Sequence, residues 1–232
     1  TEWYGFNTQL APTHDQRVRL ALSLAIDREL LVQQVVKGGI PAQFFTNAGA
    51  AGGPKPEKYP DGGVKFDPER AKALLGEYLT EKNLTAADLK MTLMANSTEG
   101  NQKTGEAIVG MWNEVLGIDV TFVTQERAVY LDTRTDGKEN IYRNSWVQDY
   151  PDANNFLFDV FGLNAAFTDV VDWPINVGLS TSEEYTPGSN ANFDKFTELL
   201  QQAANEQDAD KRMELYAQAE QILLVDEAVV AP

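Results

Sequence analysis

The stretch Arg143-Asn144-Ser145-Trp146-Val147-Gln148-Asp149-Tyr150-Pro151-Asp152 gathers a cation, a large aromatic and two carboxylates within ten residues. A guanidinium can hold a carboxylate, a carboxylate can hold an ammonium group, and an indole offers an apolar wall. The stretch also ends a strand pattern, Ile141 to Val147, and open α/β sheets bind their ligands beyond the ends of their strands. Period-two alternation puts Arg143 and Ser145 on one face and Asn144 and Trp146 on the other. Two other readings stand beside a ligand site. The stretch can be an ordinary strand-to-turn junction, with Asp149 capping the next helix and Trp146 in the core. Alternatively, Asp149 and Asp152 can form the carboxylate pair of an acid/base hydrolase, although three residues across a Tyr-Pro turn fix no separation.

Other chemistries are poorly supplied. The 232 residues include no cysteine and a single histidine, His14. Disulfides, thiolate catalysis and thiolate-bound zinc are excluded, and no histidine pair is available for a metal. His14 has no partner at metal spacing and reads as a surface loop residue. Neither GxGxxG nor GxxxxGK[ST] occurs, so no phosphate cradle is marked by motif, and no cofactor and no metal are expected. Asp and Glu outnumber Lys and Arg by 35 to 19, a net charge of −16. Nucleic-acid affinity comes mainly from Lys and Arg on phosphate, so no nucleic-acid partner is expected. An anionic membrane surface is disfavoured for the same reason. No apolar run approaches the roughly 20 residues of a membrane span. The pair Glu183-Glu184 reads as solvent-facing. Tyr78, Trp112 and Tyr216 fall at helical spacing and read as core.

The elements that must position the stretch are legible in outline. Residues 2–7 read as a short strand. Asp15 is placed to cap a helix carrying Val18, Ala21, Leu22 and Ala25 at i, i+3, i+4, i+7. Asp27 can cap a second helix with Leu30, Leu31 and Val35, ended by Gly38-Gly39. Residues 47–64 are a Gly/Pro-rich loop. Asp67-Pro68-Glu69 is a helix start, with a cap, a pre-set first turn and an acid suited to the dipole. Met91 to Ala95 reads as a strand. A helix follows from Gln102 to Leu116, stopped by Gly117, and then a strand from Asp119 to Thr124. Such a strand–helix–strand unit is parallel, so the sheet is at least partly parallel. A helix over 128–135 and a short one over 153–161 follow. Residues 162–192 are loop-rich. Phe193 to Ala203 and Leu215 to Leu223 mark two closing helices, the second started by Asp208. The alternation of strands and helices gives an α/β fold.

The chain begins Thr1-Glu2-Trp3 with no basic or apolar leader. It closes on Ala228-Val229-Val230-Ala231-Pro232, a strand signal that stops as it begins. The expectation is a piece of a longer protein, cut before its final strands.

Five segments, in order, resemble the family 5 extracellular solute-binding proteins, the oligopeptide- and dipeptide-binding proteins of ABC importers. Tyr4 to Thr8 with Asp15 to Arg28 is similar to their FNT…DxRVRxALSxAIDR stretch. Phe66 to Leu75 is similar to YDPEKAKxLL, Leu116 to Val120 to LGIxV, Trp146 to Asp152 with Phe156-Leu157 to WxADYPDPxxFL, and Glu214 to Glu220 to LYxxAE. The chain departs from the pattern at Gln148 (usually Ala) and Ala153 (usually Pro). The resemblance implies a periplasmic-binding-protein-like (type II) lobe with a mixed, partly parallel sheet flanked by helices. It implies that residues 1–232 form a single C-terminal ligand-binding lobe, of the kind called domain III. Its partners would be a peptide ligand, the permease of an ABC transporter and the N-terminal lobe of the same parent chain. Its place would be periplasmic or extracellular, membrane-associated in the parent protein, and it would not be an enzyme. By the same resemblance Asp149 holds a peptide's free amino terminus, Trp146 walls a side-chain pocket, and Arg143 holds the carboxylate of a short peptide. Tyr150, beside Asp149, is grouped with them. Oligosaccharides are carried in the same family and stay open as the ligand. A protein-docking module without a small ligand is a further alternative.

Overall fold

In the computed structural model, which describes residues 1–162 and 188–232, apolar residues pack on both faces of one five-stranded sheet. Its strands are β1 (Glu2–Phe6), β2 (Met91–Asn96), β3 (Val120–Gln125), β4 (Ile141–Ser145) and β5 (Val230–Ala231), in the order β3-β2-β4-β1-β5. β2 runs parallel to β3 and β4, whereas β1 runs antiparallel to β4 and β5. The sheet is therefore mixed, as expected, and the parallel half is the strand–helix–strand unit read from residues 91–124.

The helices begin where the sequence puts caps. Asp15 caps α1 (Gln16–Leu24), accepting from Arg17 N–H. Asp27 caps α2 (Arg28–Leu30), accepting from Leu30 N–H. Asp67 caps α3 (Pro68–Lys82), with Pro68 in the first turn. Thr98 caps α4 (Glu99–Leu116), which starts three residues before the expected Gln102 because this cap lies upstream of the apolar pattern. Gly117 ends α4 at φ 67°, a left-handed conformation that costs glycine little. The second expected helix departs furthest from its reading. After one α turn it passes into a π-helical segment, Leu31–Val36, and ends on Lys37 at φ 56°, one residue before Gly38-Gly39. Leu31 is buried, but Leu30 is 41% exposed.

Two large apolar clusters result, one on each side of the sheet, beside a small one of Met94, Tyr130 and Tyr142, and β1 contributes to both large ones. Tyr4 and Phe6 join Leu22, Tyr78, Leu93, Ile108, Trp112 and Ile141. Trp112 also donates its indole N–H to Leu22 O (2.8 Å), which pins α4 to α1. Trp3 joins the other cluster with Phe45, Phe156, Phe161, Phe193, Phe196 and Tyr216. That cluster is built from α6 (Ala153–Phe161), α7 (Ala191–Asn205) and α8 (Ala209–Gln221). Tyr78, Trp112 and Tyr216 are core residues, and His14 is exposed, as read. α5 (Arg127–Thr135) links β3 to β4. The loop assigned to 162–192, with Pro174, Gly178, Pro187 and Glu183-Glu184, lies outside the described residues over 163–187.

The sheet leads the chain directly to the candidate stretch. β4 ends at Ser145, two residues short of the expected Val147. Trp146 still exchanges backbone hydrogen bonds with Thr1, N–H to O in each direction at 2.8 Å. Pairing goes no further, so the pleat stops and residues 147–151 turn away.

Candidate functional site

The turn after β4 is held at its far end. Asp152, not Asp149, caps α6, accepting from Asn154 N–H (2.9 Å). Arg212 of α8 grips the same carboxylate with two bonds, Nη1 to Oδ2 (2.9 Å) and Nη2 to Oδ1 (2.7 Å). Residue 51 braces the turn from the other side: Ala51 N–H donates to Pro151 O (2.9 Å), and Ala153 N–H donates to Ala51 O (2.8 Å). The turn is thus fixed by one helix cap, one bidentate ion pair and one isolated parallel bridge.

Within this frame Asn155 joins two of the sequence-marked residues. Asn155 is fully buried. Its Oδ1 accepts from the Trp146 indole N–H (3.0 Å) and from Asp149 N–H (3.0 Å). Its Nδ2 donates to Asp159 Oδ2 (2.8 Å) and, at a longer 3.5 Å, to Asp149 Oδ2. Tyr150 enters through Asp159, donating its hydroxyl to Oδ2 (2.9 Å) and accepting from Asn154 Nδ2 (2.9 Å). Trp146, Asp149 and Tyr150 are therefore brought together. Trp146 lies partly buried against the Trp3 cluster, while the Asp149 and Tyr150 side chains are exposed beside it.

Arg143 is placed apart from these three. It sits across from Tyr4 in the β1–β4 register, on the face opposite Asn144 and Trp146. Its guanidinium forms an ion pair with Glu2 and a long contact, 3.5 Å, with Asn96 Oδ1. Its Nε and the Tyr4 hydroxyl are buried with no hydrogen-bond partner. Burial pushes Tyr4 far above its ordinary range, and the nearby Glu2 carboxylate adds to that.

The electrostatics separate the two acids of the turn. Burial acts to raise the Asp152 carboxyl, but the Arg212 hydrogen bonds, the Asn154 N–H and the Arg212 charge outweigh it, leaving Asp152 below the usual carboxylate range. A general acid of a glycosidase pair needs the opposite, a raised pKa. Asp152 is thus a structural acid, and Asp149 alone presents a carboxylate at the surface of the turn. Burial also raises Tyr150, with the Asp159 hydrogen bond adding to it.

Two larger concavities lie elsewhere. One, about 610 Å³, is lined by Tyr4, Arg28, Val36, Ile40, Phe44 and Ile108, among others. The second, about 740 Å³, is an open polar groove between α7 and α8. Neither is lined by Arg143, Trp146, Asp149 or Tyr150. Among the described residues, no group of three or more His, Asp or Glu could hold a metal ion, and no helix is long and apolar enough to cross a membrane. Sequence reading missed Asn155, Asp159, Arg212 and Glu2. Arg212 and Glu2 act through contacts distant in sequence, while Asn155 and Asp159, paired at i, i+4 in α6, act on a turn whose path the sequence does not show.

Comparison with known proteins gives the family of the chain. Residues 1–167 match the model of the bacterial extracellular solute-binding proteins, family 5 middle region. The chain is 36% identical over its whole length to the periplasmic murein peptide-binding protein MppA of Escherichia coli. It is 32% identical over 99% of its length to the periplasmic oligopeptide-binding protein OppA of Salmonella typhimurium. It spans 39% and 38% of those two proteins. The solved structure of the E. coli murein tripeptide binding protein MppA superposes with a TM-score of 0.79 at 33% identity, covering all of this chain and 41% of that one. The expected type of lobe, a mixed sheet flanked by helices, is thus found in a solved binding protein.

Proposed function

Because the chain belongs to the family 5 bacterial extracellular solute-binding proteins, we propose that residues 1–232 form one ligand-binding lobe of a two-lobed clamp that captures peptides for an ABC importer. The observation that carries this reading is the rigid turn after β4. It sets an exposed carboxylate, Asp149, beside a half-buried indole, Trp146, both anchored on Asn155. A peptide's ammonium terminus meets the carboxylate, and its first side chain lies along the indole, with Tyr150 at the rim. The peptide backbone can then pair as an added strand, which gives affinity with little sequence choice. The lobe acts by binding and release, without turnover.

In this reading the partners are a peptide, an N-terminal lobe of the same polypeptide that closes over it, and the permease. The site of action is periplasmic or extracellular, with membrane association through the permease. Arg143 is the group for a ligand carboxylate. Glu2 holds that position in the lobe, so a short peptide must displace Glu2 to use it.

The test is Asp149→Ala in the full-length binding protein, with matched free and N-acetylated peptides. In the closed clamp the carboxylate–ammonium pair is desolvated, and losing one partner costs about 2–5 kcal/mol, roughly 30- to 5,000-fold in affinity. Binding of the free peptide should fall by that much and binding of the acetylated one far less. Equal losses would remove Asp149 from its role. Native mass spectrometry of the same protein, purified without denaturation, reads the ligand class: mixed short peptides support the proposal, and a single sugar-like mass supports an oligosaccharide lobe.

A further inference from the structure

We propose that Asn155 is the positioning residue of this site, and that it sets the preference for a free amino terminus by fixing the Asp149 anchor relative to the Trp146 wall. The inference rests on the amine-holding reading of Asp149.

A buried amide has two acceptor sites and two donors. Asn155 is fully buried and uses all four. The partners leave no freedom to flip it. The indole N–H and the Asp149 N–H can only donate, and the two carboxylates, when ionised, can only accept. The 3.0 Å bond to Asp149 N–H locks the backbone of the anchor. The amide Nδ2 donates to both Asp159 and Asp149. The same oxygen that locks Asp149 also locks the indole. Anchor and wall therefore share one pivot. An apolar side chain there takes the partner from the Trp146 indole N–H and from Asp149 N–H, and serine cannot reach both the N–H groups and the carboxylates. Because Asp149 Oδ2 faces the amide, the carboxylate has Oδ1 to present outward to a ligand.

A double-mutant cycle on the full-length binding protein tests this, with trialanine and N-acetyl-trialanine as probes in titration calorimetry. Asn155→Ala should lower the ratio of free to acetylated affinity by about tenfold or more, the worth of one buried hydrogen bond to a charged group. Added to Asp149→Ala, it should lower the ratio no further, since both changes remove one interaction. The Trp146 indole N–H signal in NMR should move and exchange faster in Asn155→Ala, but not in Asp149→Ala. If Asp149→Ala collapses the ratio while Asn155→Ala leaves it unchanged, Asn155 is only a packing residue and the proposal is wrong. If Asp149→Ala leaves the ratio unchanged, the amine-holding reading fails, and the selectivity role of Asn155 fails with it.

Asn155→Asp covers the case where the alanine variant does not fold. It keeps the shape and the acceptor but replaces the donor with a third acid. Three ionised carboxylates repel, and protonation restores a donor at low pH. The free-peptide affinity of Asn155→Asp relative to the unaltered protein should therefore change between about pH 5 and 8. A constant relative affinity across that range would overturn the proposal.

Discussion

Glu220 has both carboxylate oxygens buried in the Trp3 cluster's helix layer, where they accept the backbone N–H groups of Phe45 (2.5 Å) and Thr46 (2.9 Å). It is fully buried, and no charged side chain acts on it. Burial pushes its pKa up to about 7, and the hydrogen bonds only partly offset this. The folded state thus holds a proton that the unfolded chain releases near 4.5. Its contribution to stability is complete below that value and is lost as the pH rises through 7. The stability of Glu220→Gln relative to the unaltered chain should rise by up to about 3 kcal/mol between pH 4.5 and 7.5, read from urea midpoints. A flat difference would show that Glu220 titrates normally. Residue-level chemistry was legible where the chain itself concentrates it: Trp146, Asp149 and Tyr150 share one short stretch and one place in space. Glu220, Asn155 and Arg212 were not: the partners of Glu220 and Arg212 that matter lie 175 and 60 positions away, and Asn155 lies across a turn from Asp149 whose course the sequence does not fix. Arg143 was legible as a cation but not as the partner of Glu2.

Elements carry the second scale. The Arg212–Asp152 pair ties α8 to the start of α6, with both side chains about one-fifth exposed. It also closes the turn that holds Asp149. Arg212→Ala should cost about 1–3 kcal/mol, since it leaves a half-buried carboxylate with one fewer partner. Because the folded Asp152 pKa is depressed, this contribution is present above the ordinary carboxylate range and lost as the pH falls below it. The Arg212→Ala penalty should shrink in acid, and a penalty unchanged there would argue against the ion pair. α4 gives a contrast between two glycines. A Cβ at Gly105 would stand 2.4 Å from Phe122 Cζ, while at Gly110 nothing lies within 4 Å. Gly110→Ala should stabilise by about 0.5–1 kcal/mol through helix propensity. Gly105→Ala should lose more than that gain, about 1–3 kcal/mol from overpacking. Thermal melting of the two variants decides it, and Gly105→Ala melting above the unaltered chain would refute the close approach. Element positions were readable because caps and helix faces are local signals: Asp15, Asp67, Gly117 and Asp208 stand where the helices begin or end. The π-helical segment at Leu31–Val36 was not, since widening a helix by one residue per turn leaves no mark at i, i+3, i+4 spacing.

At the scale of the whole molecule, the exposure of Asp149 sets an expectation for the lobe by itself. An ion pair facing water is worth about 0–1 kcal/mol. The 232-residue chain should therefore show no peptide binding by calorimetry at micromolar concentration, whereas a closed clamp would. Tight binding by this chain alone would contradict the two-lobed clamp proposed for it.

The sheet separates two large apolar clusters that meet at β1 and β5, and this bears on how the molecule opens. The Tyr4–Trp112 side is assembled largely from residues 4–141, with Ala228 and Ala231 closing it. The Trp3–Tyr216 side gathers residues from 3, 45–64 and 153–230, so its contacts span most of the chain. Separate clusters that share few elements, here β1, β5 and Val225, can open as separate cooperative units. Native-state amide exchange should then resolve two isotherms under mild denaturant, with α6, α7 and α8 exchanging at a lower free energy than β2 and α4. Trp146 packs against the unit expected to open first, so if the turn binds a peptide as proposed, that unit is the one whose stability the ligand should raise most.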